Sequence, residues 1–289
     1  MVLLTGATGF LGSYLLDELI GSKYEVVILK RSSSDISKIN HLISKVVYYD
    51  VDIQPLEIAF KNHRIDCVIH TACDYGKSSN SNYQITESNL MYGLKLLDAC
   101  LKYKTRFFIN IDTLLPRQLN AYSFSKKQFV DWLRYKSNEI IVANFRLEYM
   151  YGRCDDDSKL VPFFLSKLSQ NVPEIELTEG QQKRDFIFID DVVSAILLVL
   201  DKVDQLNGFS EFDLGTGESV TLRYFLEKIK FEFESTFGIT ETKLAFGKLP
   251  YRDGEMMNVE LNNSALIKLG WYPKTTLQDG IRKIINEMI

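Results

Sequence analysis

Short apolar runs alternate with amphipathic stretches through the first half of this chain. The run Val2–Leu4 passes into glycine-spaced positions, and Ser13–Ile20 then carries apolar residues at helical spacing. Further apolar, β-branched or aromatic runs mark strands at 25–29, 46–50, 67–71, 107–111 and 140–145. Between them, helical patterns cover 56–62, 87–103 and 123–136. Strands alternating with helices predict an α/β fold, a Rossmann-type doubly wound parallel sheet covered on both faces. On such sheets ligands bind beyond the carboxyl ends of the strands, so residues at those ends are the candidates for chemistry.

The first strand end carries Gly6-x-x-Gly9-x-x-Gly12. Gly6 permits a tight turn, Gly9 lets backbone N–H groups approach phosphate oxygens, and Gly12 lets the following helix pack close to the sheet. Its position between a strand and a helix predicts a dinucleotide pyrophosphate cradle, formed by Gly6, Thr8, Gly9, Phe10, Leu11 and Gly12.

Composition narrows the setting. The 289 residues are 46% hydrophobic, enough for a large core and one large or two unequal domains. A net charge of −4 offers no broad basic surface, which argues against nucleic acid as a partner. Four cysteines, Cys67, Cys73, Cys100 and Cys154, lack metal or redox spacing and read as reduced thiols; no metal is expected. The N-terminal run is too short for a secretory signal, and Ala195–Leu200 is far too short to span a membrane. The expected setting is cytoplasmic, with no membrane partner.

The second predicted strand ends in Leu29-Lys-Arg-Ser-Ser-Ser34. An acidic residue here would suit the ribose hydroxyls of NAD, whereas Lys30, Arg31 and Ser32 suit a 2′-phosphate, so NADPH is the expected cofactor; an ordinary solvated basic turn is the other reading. Asp52 and Ile53 follow the third strand, either as adenine contacts or as an ordinary turn. Thr71 and Ala72, at the end of the fourth strand, are further cofactor candidates. Tyr122-Ser-Phe-Ser-Lys126 sets a phenol and an ammonium one helical turn apart. A lysine beside a tyrosine favours the phenolate and brings the group toward a working pKa. Thr113, just past the 107–111 strand, completes a site for hydride exchange at a carbonyl carbon. His70, on an apolar strand, reads as a satisfied core histidine, and Glu148 needs a partner if enclosed, for which Arg146 is a candidate.

With these residues in view, the chain resembles the extended short-chain dehydrogenase/reductases, the NAD-dependent epimerase/dehydratase family of nucleotide sugars. The matching segments run from the glycine turn through Val68-Ile-His-Thr-Ala72, Asn89, Tyr122…Lys126, Arg146…Tyr151-Gly152, Arg184-Asp-Phe-Ile-Phe-Ile-Asp-Asp191 and Leu214-Gly-Thr-Gly217 to Leu269-Gly-Trp-Tyr-Pro273. The resemblance implies that Thr113 orients a sugar carbonyl, Tyr122 exchanges the proton, and Lys126 binds the nicotinamide ribose. It implies an NADP-binding domain over 1–152, with return segments near 185–215, and a smaller C-terminal α/β substrate-binding domain over most of 153–289. Arg184 and Arg252 match the family's phosphate-contacting arginines, each with a surface salt bridge as its other reading, and Tyr75, Tyr149 and Glu255 join them as substrate-binding candidates. Tyr75 is open to a second reading, as a packing residue. The resemblance also implies a homodimer through a four-helix interface built from the 87–103 and 123–136 helices.

Departures from the family pattern sharpen the expectation. Sugar 4,6-dehydratases carry Asp-Glu directly after the catalytic threonine; here the pair is Leu114-Leu115, which argues against dehydration. Tyr149 stands where many relatives have asparagine. With Arg31 arguing against tightly held NAD, the expectation is a one-way NADPH-dependent 4-ketoreductase of a dTDP- or CDP-linked 4-keto-6-deoxyhexose. The lead substrate is dTDP-4-dehydro-6-deoxy-D-glucose, giving dTDP-D-fucose, and the alternative is CDP-4-dehydro-3,6-dideoxy-D-glucose. An NAD-dependent epimerase and a non-catalytic NADP-binding sensor are the competing classes.

Overall fold

A computed structural model describes residues 1–76 and 81–288. The chain divides into two compact units. The first comprises Met1–Leu147, Val193–Leu214 and Ser264–Trp271, and the second Glu148–Val192, Gly215–Asn263 and Tyr272–Ile289.

In the first unit, β1 (Val2–Thr5) leads through the glycine turn into α1 (Phe10–Gly21), followed by β2 (Val26–Lys30), β3 (Val47–Asp50), α2 (Glu57–Asn62) and β4 (Cys67–His70). All four residues of β1 and of β4 are buried, as expected for parallel strands covered on both faces. Next come α3 (Asn82–Thr86), a wide π turn at Glu87–Met91, and α4 (Tyr92–Lys102). The helical pattern predicted over 87–103 thus begins earlier and is interrupted. Ser81 caps α3 in a reciprocal box with Gln84, which starts the helix upstream of the apolar stripe.

Then β5 (Phe107–Thr113), α5 (Ala121–Lys136) and β6 (Ile141–Leu147) follow. Strand β5 runs two residues further than its apolar pattern, because β6 pairs with it out to Thr113 opposite Leu147. Thr113 is therefore the last residue of the strand, not the first beyond it. Asn120 caps α5 in a box with Ser123, which puts Tyr122 in the first helical turn.

The second unit opens with β7 (Tyr149–Tyr151) and continues through α6 (Leu160–Ser169), β8 (Glu174–Leu177), β9 (Lys183–Arg184) and β10 (Phe186–Phe188). Helix α7 (Ile189–Asp201) then returns the chain to the first unit, where β11 (Phe209–Leu214) joins the sheet. Short strand β12 (Val220–Thr221), α8 (Leu222–Phe237), β13 (Lys243–Phe246), α9 (Ser264–Lys268) and α10 (Leu277–Asn286) complete the chain.

The seven-stranded sheet has the order β11-β6-β5-β4-β1-β2-β3, and every neighbouring pair is parallel. The order reverses between β1 and β4, which opens a ligand crevice beyond their carboxyl ends. Pairs β7–β10, β8–β13 and β9–β12 serve the second unit, whose core includes Phe186 and Phe225 stacked at 3.7 Å between ring centroids.

Candidate active site

The glycine turn is tight for steric reasons that single out two positions. Gly6 adopts φ +72°, and a Cβ there would come within 2.6 Å of Thr71 Oγ1 and 2.7 Å of the Ala72 nitrogen. A Cβ on Gly12 would stand 2.0 Å from the Gly6 carbonyl oxygen. The Gly9 N–H donates to that same carbonyl at 2.9 Å, and no side chain caps α1, whose first turn also lacks an acidic residue. This helix start presents backbone donors and a positive dipole end to an anion. Thr71 donates its hydroxyl to the Thr5 carbonyl at 2.8 Å, and the Ala72 N–H reaches Thr5 Oγ1 at 3.4 Å, so both candidates build the wall of the turn.

Beyond β2, the Ser32 hydroxyl donates to Asp50 at 2.8 Å and its backbone N–H donates to Asp52 Oδ2, also at 2.8 Å. Lys30 lies 3.5 Å from Asp50 and 5.6 Å from the centre of the Tyr48 ring, so its charge is engaged. Arg31, by contrast, has no ion pair among the described residues. Asp52 closes the loop onto Ser32, and the next side chain, Ile53, is 78% exposed. An apolar side chain this open beside a strand end is a surface against which a flat ring can lie.

At the end of β5, the Thr113 hydroxyl accepts the Leu115 N–H at 3.1 Å, which leaves its own proton available to an oxygen outside. Tyr122 packs against Tyr75, with ring centroids 5.1 Å apart. Burial pushes the Tyr122 phenol well above its usual pKa, helped by Cys73, Tyr75 and Asp112. The direction is opposite to the lowering expected from a neighbouring lysine, and the phenol is held protonated. Lys126 is 2% exposed, and burial moves its pKa down. Its ammonium has no hydrogen bond or ion pair among the described residues. A buried cation without a partner is costly.

Asn89, in the π turn, fixes the loop that carries Tyr75. Its Oδ1 accepts the Asp74 N–H at 2.7 Å, and its Nδ2 donates to the Asp74 carbonyl at 2.8 Å and to Ser125 Oγ on α5 at 3.0 Å. His70 is only half satisfied. Its Nδ1 shares a 2.7 Å hydrogen bond with Thr5 Oγ1, but its Nε2 is buried without a partner, and burial pushes its pKa down to about 3. The ring is neutral and structural.

In the second unit, Arg184 is buried and heavily committed. It donates to the Met256 carbonyl at 2.6 Å, to the Lys183 carbonyl at 2.7 Å and to Glu255 Oε1 at 2.5 Å, with Glu148 Oε1 4.0 Å from its Nε. Tyr149 lies beside it, the guanidinium carbon 5.6 Å from the ring centre. Glu255 is thus the counterion of Arg184. Glu148 faces Arg184 and not Arg146, which pairs with Asp213 across the β6–β11 ladder at 2.5 Å. Arg252 is exposed, in the turn before Glu255. Asp185 accepts the Thr216 and Gly217 N–H groups at 2.8 and 2.7 Å, so the Arg-Asp-Phe and Gly-Thr-Gly segments hold each other.

Burial pushes the Glu148 carboxyl up to about 7, against the pull of Arg184. The folded protein therefore holds a proton that the unfolded chain releases above its ordinary value of 4.5, and stability falls as pH rises between the two. The expected loss across that window is about 3 kcal/mol, and Glu148→Gln is expected to abolish it. Urea unfolding of both proteins at pH 5 and pH 8 measures the difference; equal pH dependence would contradict it.

The chain belongs to the NAD dependent epimerase/dehydratase family, whose sequence profile matches residues 2–215. It is 33% identical to the CDP-abequose synthase of Salmonella muenchen, over 99% of this chain and 97% of that one. Identity to the dTDP-4-dehydro-6-deoxyglucose reductase of Escherichia coli is 26%, over 99% and 97%. Among solved structures, the UDP-glucose 4-epimerase of Thermotoga maritima with UDP-glucose aligns at a TM-score of 0.85 and 23% identity, covering 99% and 98%. The Thermus thermophilus UDP-glucose 4-epimerase in complex with NAD aligns at 0.82 and 24%, covering 99% and 97%. Family and relatives make this an NAD(P)-dependent enzyme of nucleotide-sugar reductase or epimerase type. No helix among the described residues is long and apolar enough to cross a membrane.

Proposed function

We propose that the protein is an NADPH-dependent 4-ketoreductase of a nucleotide-linked 4-keto-6-deoxyhexose. The observation that carries this reading is the enclosed set of Thr113, protonated Tyr122 and unpartnered Lys126, followed by Leu114-Leu115 where elimination chemistry would need an acid and a base. The cofactor supplies a hydride to the ketone carbon. Thr113 donates its free proton to the ketone oxygen as a hydrogen bond and polarises it. Tyr122 then transfers its phenolic proton to that oxygen as the alkoxide forms. Lys126 binds ribose hydroxyls and stabilises the phenolate left on Tyr122. Gly6, Thr8, Gly9, Phe10, Leu11 and Gly12 hold the pyrophosphate, Arg31 the 2′-phosphate, with Ser32 turning its hydroxyl from Asp50 to join it, and Asp52 and Ile53 the adenine. Arg252, which is exposed, is the first candidate for the substrate diphosphate, and Arg184 would join it only by exchanging Glu255 for phosphate oxygens; Tyr75 and Tyr149 are the candidates for the sugar. Exposed Met91, Phe124, Trp132 and Tyr135 support pairing of two copies through this helical face.

The greater identity to CDP-abequose synthase favours a CDP-linked ketosugar, and the E. coli reductase supports a dTDP-linked one. NADPH oxidation measured with CDP- and dTDP-linked 4-keto-6-deoxyglucose side by side is expected to single out one base. Binding of NADPH without turnover of either would favour the sensor reading, and epimerisation with retained NAD would favour the epimerase. Arg31→Ala is expected to weaken NADPH by about 10- to 100-fold, the worth of a charge-assisted hydrogen bond, and NADH hardly at all. Fluorescence titration with both cofactors reads this, and equal losses would remove the 2′-phosphate assignment.

A further inference from the structure

Asp112 lies one residue before the end of β5, and its side chain is 0% exposed. A carboxylate enclosed in a sheet requires a counterion and hydrogen bonds. Its Oδ2 receives the Lys127 ammonium at 2.6 Å and the Asn144 amide at 3.4 Å, while its Oδ1 has no partner. The same ammonium donates to the Thr113 backbone carbonyl at 2.5 Å. That carbonyl ends its strand, since β4 stops at His70 opposite Asn110 and β6 stops at Leu147 opposite Thr113. One cation from α5, adjacent to Lys126 in sequence, therefore ties down the last two residues of β5.

We propose that Lys127 and Asp112 are positioning residues of the ketone site, a brace that fixes the Thr113 hydroxyl relative to Tyr122. This rests on the catalytic reading of Thr113, Tyr122 and Lys126. Neither residue touches the reacting atoms. Lys127 acts through the Thr113 carbonyl, and Asp112 keeps that ammonium in place from beneath.

The geometry has a second effect, because the carboxylate is satisfied on one oxygen only. Its field reaches both members of the proton-handling pair: Asp112 favours the protonated form of Tyr122 and of Lys126, while Lys127 opposes it at Lys126. The other groups that bear on Tyr122 are Cys73 and Tyr75, both from the loop after β4. A phenol kept protonated is the form that donates in ketone reduction, so the brace and the field serve the same direction of reaction.

The test compares Lys127→Met, Asp112→Asn and the double variant, the last removing both charges so that no buried ion is stranded. Each is expected to lower kcat by about 10- to 100-fold, the cost of a misplaced reacting group, with KM for the ketosugar and NADPH affinity little changed. Asp112→Asn is also expected to move the alkaline limb of kcat to lower pH, because the phenol loses the charge that holds its proton. In the free protein, amide exchange at Leu114 and Leu115 in the double variant is expected to rise by about tenfold, the equivalent of one lost hydrogen bond. Unchanged kcat and exchange would overturn the brace, as would a rise in KM alone, which would make these groups substrate ligands. Tyr122→Phe, run alongside, separates the two readings. If it retains turnover, the catalytic assignment fails whatever the exchange data give. If it is inactive while the Lys127 and Asp112 variants keep the parental exchange and pH profile, the brace alone is wrong.

Discussion

Tyr122→Phe is expected to lower kcat by about three orders of magnitude while leaving NADPH affinity within a few-fold of the parent. The hydroxyl is removed from a ring that packs against Tyr75, so the fold is expected to tolerate the change. The effect is large because the substitution removes the donor itself. Thr113 has one proton to offer as a hydrogen bond, and the neutral His70 ring is buried beneath the sheet's end with its Nδ1 committed to Thr5. Because burial holds the phenol protonated, kcat of the parent is expected to stay level through neutral pH and fall only on the alkaline side. Stopped-flow NADPH oxidation over a pH series measures both; turnover near the parental rate in the phenylalanine variant would exclude Tyr122 as the donor.

The second large effect is at Gly12. A methyl group there would overlap the Gly6 carbonyl oxygen at 2.0 Å and the Ala7 Cα at 2.9 Å, all backbone that has no room to yield. Gly12→Ala is expected to cost about 3 kcal/mol of stability, at the upper end for overpacking, and to abolish measurable NADPH binding. Gly21, at the other end of the same helix, provides the control, since a Cβ there meets nothing within 4 Å. Gly21→Ala is expected to be neutral or to stabilise by about 0.5–1 kcal/mol. Thermal unfolding and cofactor titration of the pair separate helix propensity from steric overlap. Equal behaviour of the two variants would mean that the close approach of α1 to the turn is not needed.

Much of the sheet was legible because parallel strands buried on both faces are written as unbroken apolar runs, such as Val26-Val-Ile-Leu and Cys67-Val-Ile. Strand ends were less legible. β5 continues through Asp112 and Thr113 because of its partner β6, which no local pattern announces. The start of α3 was readable, since Ser81 and Gln84 form a capping box, but the apolar stripe further on is the stronger signal. Residue types nominated Thr113, Tyr122 and Lys126 as candidates, yet the direction of the Tyr122 shift depends on enclosure, which a sequence does not state. The pairing of Lys127 with Asp112 was not legible for a related reason: a lysine next to a candidate lysine reads as solvated surface. The one available signal was a charge inside the apolar strand Phe107–Thr113. The partners of Arg184, Glu148 and Glu255, lie 36 and 71 residues away, and only the folded second unit brings them together.

The π turn at Glu87–Met91 ties helix winding to the loop that bears Tyr75. A π turn holds one surplus residue relative to regular α-helix. Deleting it would rotate everything upstream by about 100°. Ile85 would leave its place under Gly76, and Asn89 would swing away from Asp74 and Ser125. Length changes in this helix would therefore reshape the loop bearing Tyr75 without altering any residue of that loop. Chains that differ by one residue here would hold Tyr75 differently beside the same candidate residues.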